Sequence, residues 1–258
     1  MPKARSSNPS QRPEKPSRSR AAGAPEHNAR LTEILRRLAK HYPDAVCALH
    51  HRNAWELMVA TILSAQCTDA RVNMVTPVLF KRFPTPAALA GADLPEIESI
   101  IRSTGFFRNK AKSIQGAAKR LLNDFHGRVP ETMDELLTLP GVARKTANVV
   151  LGSWFKIADG VVVDTHVARI ARRLELTRAE TPERIEQDLM RILPQKQWID
   201  FSHRIIHFGR GICIARKPRC ADCFLEDLCN APDKTWSSHP APQKTRAKKT
   251  SAPRARPA

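Results

Sequence analysis

Four cysteines, one lysine and one aspartate stand where their types and spacing could do chemistry. The cysteines fall within seventeen residues, as Cys213-x6-Cys220-x2-Cys223-x5-Cys229. Four thiolates in such a run can hold a zinc ion tetrahedrally or a [4Fe–4S] cube. The intervals differ from the paired C-x2-C units of zinc ribbons. They differ too from the C-x2-C-x2-C-x3-C run of small ferredoxins, which argues against a soluble electron carrier. The N-terminal residues have no apolar signal-peptide core, and a dense cysteine cluster in an intracellular chain points to metal rather than disulfides. Arg216, Lys217 and Arg219 sit between the first two ligands. A metal-pinned loop with fixed cations can clamp phosphate. Cys47 and Cys67 stand apart, in apolar surroundings, and are expected to be ordinary buried thiols.

Lys145 follows the turn Leu139-Pro140-Gly141-Val142-Ala143. Pro140 ends one helix, Gly141 can take backbone angles closed to other residues, and the next helix begins at once. Its first amides have no partner within the helix, so Gly141, Val142 and Ala143 form a candidate phosphate site. The residues after Lys145 are largely apolar, from Ala147 through Trp154. A lysine at the mouth of a buried helix is expected to be partly desolvated, which favours the neutral, nucleophilic amine. Nineteen residues on, Asp164 follows Val161-Val162-Val163 and precedes an amphipathic run. It reads as a helix N-cap, held rigidly and ionised. With its free side toward Lys145, it could stabilise a developing cation or move protons. His166 reads as a satisfied polar side chain rather than a ligand contact.

The elements that must position these groups read as helices throughout. Apolar spacing predicts helices over 31–40, 54–65 (capped by Asn53), from Thr68 or Asp69, and from Thr85-Pro86. Others are predicted over 93–102, 108–125, 131–139, 144–155, 164–174, 181–193 and 198–210. Pro77 is expected to kink or shorten its helix. No alternation pattern is long enough to demand a sheet, so the fold class is all-α.

The chain has 258 residues and a formal net charge of +18. That balance points first to nucleic acid and second to an anionic membrane surface. No apolar stretch approaches the roughly 20 residues that a membrane span needs. Residues 1–29 carry six basic and two acidic residues, and residues 232–258 seven basic and one acidic. Both stretches read as disordered basic tails, leaving +8 to residues 30–231.

Together these pieces resemble one family. Leu63-Ser64-Ala65-Gln66-Cys67-Thr68-Asp69, the Leu139–Val150 hairpin, Val163-Asp164-Thr165-His166 and the cysteine run are similar to endonuclease III of the helix-hairpin-helix glycosylases, in the same order. The resemblance covers roughly residues 30–231. It implies an all-α fold of two domains with double-stranded DNA, bearing damaged bases or abasic sites, in the cleft. One domain is a six-helix barrel, residues 50–155. The other joins residues 30–49 to 156–231 and holds a [4Fe–4S] cluster on Cys213, Cys220, Cys223 and Cys229. Lys145 matches the catalytic lysine and Asp164 the catalytic aspartate. Gln66 matches the residue that fills the gap left by an extruded base, and Phe106 the apolar wedge, with Phe107 as its rival. The implied activity is a bifunctional glycosylase and abasic-site lyase acting on oxidised pyrimidines, as a monomer, in the cytoplasm and, if bacterial, at the nucleoid.

Two departures stand out. Ala143 replaces a common glycine, and the Lys145–Asp164 interval is one residue longer than usual, which the 156–160 loop can absorb. An adenine glycosylase of the same superfamily would need a glutamate where Thr61 or Ile62 stands. A non-catalytic cluster-bearing DNA-binding protein would need neither Lys145 nor Asp164.

Overall fold

A computed structural model describes residues 24–238 of the protein. Among these residues there is no strand, and eleven α-helices follow one another: α1 (Ala24–His41), α2 (Ala54–Leu63), α3 (Asp69–Arg82), α4 (Pro86–Ala90), α5 (Leu94–Ile101), α6 (Phe107–Phe125), α7 (Met133–Leu137), α8 (Arg144–Val150), α9 (Thr165–Arg173), α10 (Pro182–Ile192) and α11 (Trp198–Gly211). The all-α expectation holds. No described helix is long and apolar enough to cross a membrane.

Short polar side chains start these helices where the spacing said they should. Asn53 accepts from the Glu56 amide at 2.8 Å, Thr68 from Arg71, Thr85 from Ala88, and Asp164 from both His166 and Val167. Each cap satisfies an amide that the first helical turn leaves unpaired. The helix after Pro130 begins later than expected, because Thr132 is the residue whose hydroxyl accepts from Glu135. Pro77 does not end α3, which runs on to Arg82. Its ring lies on the exposed face, where solvent can take the carbonyl it frees. The helix expected over 144–155 is α-helical only to Val150; Leu151–Phe155 form a π turn.

The apolar residues form two clusters. In the first, α2 is buried at every position, so it is the central rod, ringed by α3, α6 and α8, with α5 packed on α3 and α6. A helix apolar on all sides has to be enclosed in this way. The second cluster gathers Ile34 and Leu38 of α1, Val161 and Val163, and α9, α10 and α11 around Phe201 and Phe208. Asn148 of α8 and Arg144 both donate to Glu186 of α10, joining the clusters beside Lys145.

The basic tails expected at 1–29 and 232–258 fall largely outside the described residues. Where they overlap them, the boundaries differ. Helix α1 starts at Ala24. Residues 232–238 fold back on the cysteine loop: Asp233 pairs with Arg173, and Glu226 accepts from Lys234 and Ser238. Local composition misses such anchoring, since the partners lie up to 60 residues away.

Candidate active site and cysteine loop

Lys145 and Asp164 come from different elements and line the same space. Lys145 lies in the first turn of α8, and Asp164 caps α9. Both border a cavity of about 610 Å³, together with Thr61, Ser64, Asp69, Ser202, His203, His207 and Arg210. The same two residues border an outer cleft of about 1270 Å³ with Gln66, Thr165 and His166. The lining alternates between residues of the first cluster's helices and of the second's. An outer cleft with an inner pocket suits a strand that passes along the surface and sends one base inward.

The sequence leads one to expect a partly desolvated Lys145; the structure leaves it exposed. The apolar residues behind it bury the far side of α8, while its own first turn faces the open cleft. Desolvation of this amine therefore has to come from whatever fills the cleft. Asp164 is half-buried, and both amides of its cap bond to Oδ1 at 2.8 Å. No described group donates to Oδ2, which leaves that oxygen available to the cavity. His166 is half-buried, with Nδ1 3.3 Å from Arg169 Nη2. Burial pulls its pKa down, and the ring also borders the outer cleft.

The turn before Lys145 is tight. Gly141 has φ +80°, and a Cβ there would meet Ser113 Cβ at 2.7 Å. The Val142 amide closes the turn onto the Leu139 carbonyl at 3.1 Å, and its side chain is buried. The amide of Val142 is therefore committed within the protein. The donors that face outward without a side-chain cap are those after Ala143, at the start of α8.

Gln66 and Phe106 share an unusual feature: each is a non-glycine residue in the left-handed region, with φ +53° and +49°. Such residues are uncommon and concentrate at functional sites. Both are exposed, Phe106 by 65% despite being aromatic. Phe107 differs; it packs against the first cluster with Arg102 and Arg108 over its ring. Of the two rivals, Phe106 is the one free to leave the surface.

The four cysteines are free of disulfides and border one cavity of about 420 Å³. Among the described residues no three His, Cys, Asp or Glu side chains stand close enough to share a single metal ion. Four thiols around one space are the ligand set of a tetrahedral zinc site or of a [4Fe–4S] cluster. Hydrogen bonds already aim at two of the sulfurs: Arg173 Nη1 donates to Cys213 Sγ at 3.2 Å and the Thr235 amide to Cys220 Sγ at 3.5 Å. Donors of this kind tune thiolate clusters. Burial pushes the Cys223 thiol up to about 12 and raises Cys213 and Cys229, so a metal centre held by these residues would supply the charge that keeps them as thiolates. Arg173 also holds the Ile214 and Ala215 carbonyls, which fixes the loop bearing Arg216 and Lys217 at the surface. Arg219 is partly spent on Asp222. Cys47 and Cys67 are partly rather than fully buried, packed on the first cluster.

Sequence reasoning gave no site role to Asp69, which it read only as part of a motif and a helix start, nor to Arg210, His203 or Lys110. Asp69 and Arg210 form an ion pair between α3 and α11 at the cavity wall. His203 is largely buried there, its Nε2 3.2 Å from Ser153 Oγ, and burial lowers its pKa to about 4. The only available clue was a charge or imidazole inside an otherwise apolar helical pattern. At the position relevant to an adenine glycosylase, Thr61 faces the cavity and Ile62 lies near the hairpin instead.

Comparison with known proteins gives a consistent picture. Residues 59–195 match the HhH-GPD superfamily of base excision DNA repair proteins, and residues 213–229 match the iron-sulfur binding domain of endonuclease III. The chain is 60% identical to endonuclease III of Synechocystis sp. over 78% of its length and 91% of that protein's. It is 38% identical to endonuclease III of Escherichia coli K12, covering 81% of this chain and 98% of that one. Among solved structures, a trapped endonuclease III–DNA covalent intermediate superposes with TM-score 0.75 at 45% identity, over 79% of this chain and 95% of that one.

Proposed function

The chain belongs to the endonuclease III family of the HhH-GPD base excision repair superfamily, and from that premise we propose that Lys145 and Asp164 carry its chemistry. It is a DNA glycosylase and abasic-site lyase with a [4Fe–4S] cluster. The observation that carries the residue assignment is the shared cavity: one amine and one carboxylate with an uncommitted oxygen border the same space.

An oxidised pyrimidine, poorly stacked, is swung from the duplex into the inner cavity. Gln66 and Phe106 fill the gap it leaves, and the exposed amides at the start of α8 with Arg216 and Lys217 hold phosphates. DNA in the cleft excludes water from the space around Lys145. The Nζ lone pair attacks C1′ of the sugar. The C1′–N bond breaks, and the base leaves with the electron pair and takes up a proton. Asp164 Oδ2 stabilises the positive charge at the sugar meanwhile. Nζ gives up a proton, and the C1′–O4′ bond then breaks with its electron pair going to O4′, which takes up a proton, leaving a protonated Schiff base between Nζ and C1′. Removal of a C2′ proton then expels the 3′ phosphate and nicks the strand by β-elimination. When bound, the cluster supplies four iron–thiolate bonds that cross-link residues 213–229.

The two hydrophobic clusters support reading residues 50–155 as one domain and residues 30–49 with 156–231 as the other, with DNA between. We infer that the enzyme works as a monomer on chromosomal DNA, in the cytoplasm and, in a bacterium, at the nucleoid. The test is borohydride trapping on duplexes bearing thymine glycol. Wild type should form a covalent adduct, and Lys145→Ala should form none. An undiminished adduct with Lys145→Ala would remove the lysine from the mechanism. Preferential cutting of an A·8-oxoguanine duplex would remove the pyrimidine specificity.

A further inference from the structure

Lys110 is a lysine buried to 5% exposure in α6, and nothing in the mechanism above uses it. A buried ammonium without a carboxylate partner needs a specific reason to be there. Its Nζ donates to two backbone carbonyls, Leu63 and Thr104, each at 2.8 Å. Leu63 is the last residue of α2, so its carbonyl is one that the helix leaves unpaired and carries the negative end of the helix dipole. Thr104 closes the short 3-10 turn after α5.

These two carbonyls are not arbitrary parts of the core. Gln66 lies three residues past Leu63, and Phe106 two residues past Thr104. Both side chains emerge from backbone held at positive φ, with Gly105 between Thr104 and Phe106 at φ +71°. The Lys110 amide donates to the Phe106 carbonyl at 3.1 Å as the first backbone bond of α6, so the side chain that bridges the two carbonyls springs from the helix turn that Phe106 begins. Left-handed conformations of this kind persist only where the surroundings over-determine them. A carbonyl–ammonium–carbonyl bridge does that for both loops at once. It also couples them, since moving either one strands the buried charge.

We propose that Lys110 is a positioning residue for base extrusion, tying the Gln66 loop to the Phe106 turn and setting the separation of the two gap-filling side chains. The proposal rests on the reading of Gln66 and Phe106 as that pair. It predicts a defect confined to the extrusion step. A preformed abasic site has no base to unstack, so its cleavage should be spared.

The experiment compares the full-length holoenzyme with Lys110→Met, Lys110→Gln, Gln66→Ala and Phe106→Ala. Single-turnover rates are measured on a thymine glycol duplex and on the same duplex with a preformed abasic site, each normalised to protein trapped by borohydride. A 2-aminopurine placed beside the lesion reports gap filling by its fluorescence. Lys110→Met should slow thymine glycol excision by about 30-fold while abasic-site cleavage changes by less than about 3-fold, given an unstacking cost of a few kcal/mol. It should also lose the fluorescence rise, as Phe106→Ala should, and combining Lys110→Met with Phe106→Ala should add little. Lys110→Gln keeps a donor for one carbonyl and should fall between. Wild-type excision by Lys110→Met, an equal loss on both substrates, or an intact fluorescence rise overturns the proposal. Failure of both Lys110 variants to fold also overturns it, by assigning the residue to the core alone. If Gln66→Ala and Phe106→Ala themselves excise normally, it is the gap-filling reading that fails.

Discussion

Replacing Gly141 by alanine should strain the hairpin in two separable ways. The first is conformational: alanine at φ +80° costs about 1–2 kcal/mol relative to glycine. The second is steric: the added Cβ would lie 2.7 Å from Ser113 Cβ and 3.4 Å from Ile62 Cγ2. Ser113 Cβ is fixed to the backbone of α6 and cannot swing aside, so the hairpin or α6 has to shift, at about 1–3 kcal/mol. Together the two come to about 3 kcal/mol, which for a domain of this size lowers the melting temperature by about 6–12 °C. Ser113→Gly separates them. It removes the atom in the way and leaves φ untouched, at its own cost of about 1 kcal/mol in a helix. The double variant should then be less destabilised than the two singles added, with a coupling of about 1–2 kcal/mol. Thermal melting of the four holoproteins reads the cycle. A Gly141→Ala protein that melts within about 2 °C of wild type would refute the strain argument. A cycle with no coupling would show that the Ser113 contact is not its source.

Two further outcomes follow from the site. Asp164→Asn keeps the cap geometry and should melt like wild type, yet excise damaged bases about 100-fold more slowly or worse; Asp164→Ala should add a stability loss of about 1 kcal/mol. Equal stability of the two variants in chemical denaturation would undercut the cap as the reason Asp164 is held in place. His203 has its pKa lowered to about 4, chiefly by burial, with His207 and Lys156 adding to the shift and Asp200 opposing it. The unfolded chain takes up this proton near pH 6.5, the folded chain only near 4. Stability should therefore be constant in this respect above 6.5 and fall by up to about 3 kcal/mol as the pH drops toward 4. Melting curves at stepwise pH should show a shallower decline over that window in His203→Gln; an identical decline would exclude His203 as its source.

Much of the site was legible before any coordinates. The cysteine intervals, the Pro-Gly turn before Lys145 and the caps at Asn53, Thr68, Thr85 and Asp164 all depend on neighbours a few residues away. So do the helical periods, because a helix repeats every 3.6 residues and a cap reaches two or three.

What depended on distant packing was not legible. Lys145 looked desolvated because its own helix is apolar, but exposure is set by what stands across the cleft, and that comes from α3, α9 and α11. Phe106 and Phe107 are indistinguishable as letters; a single left-handed residue turns one outward and leaves the other on the core. Lys110 reads as one more cation on a basic helix until α2 and the 102–104 turn close over it. The chain alone determined which helices form and which reactive groups they carry, because those are short-range properties of backbone and side chain. Only the folded molecule decided which of those groups face one another, because burial and juxtaposition are properties of segments that meet across many tens of residues.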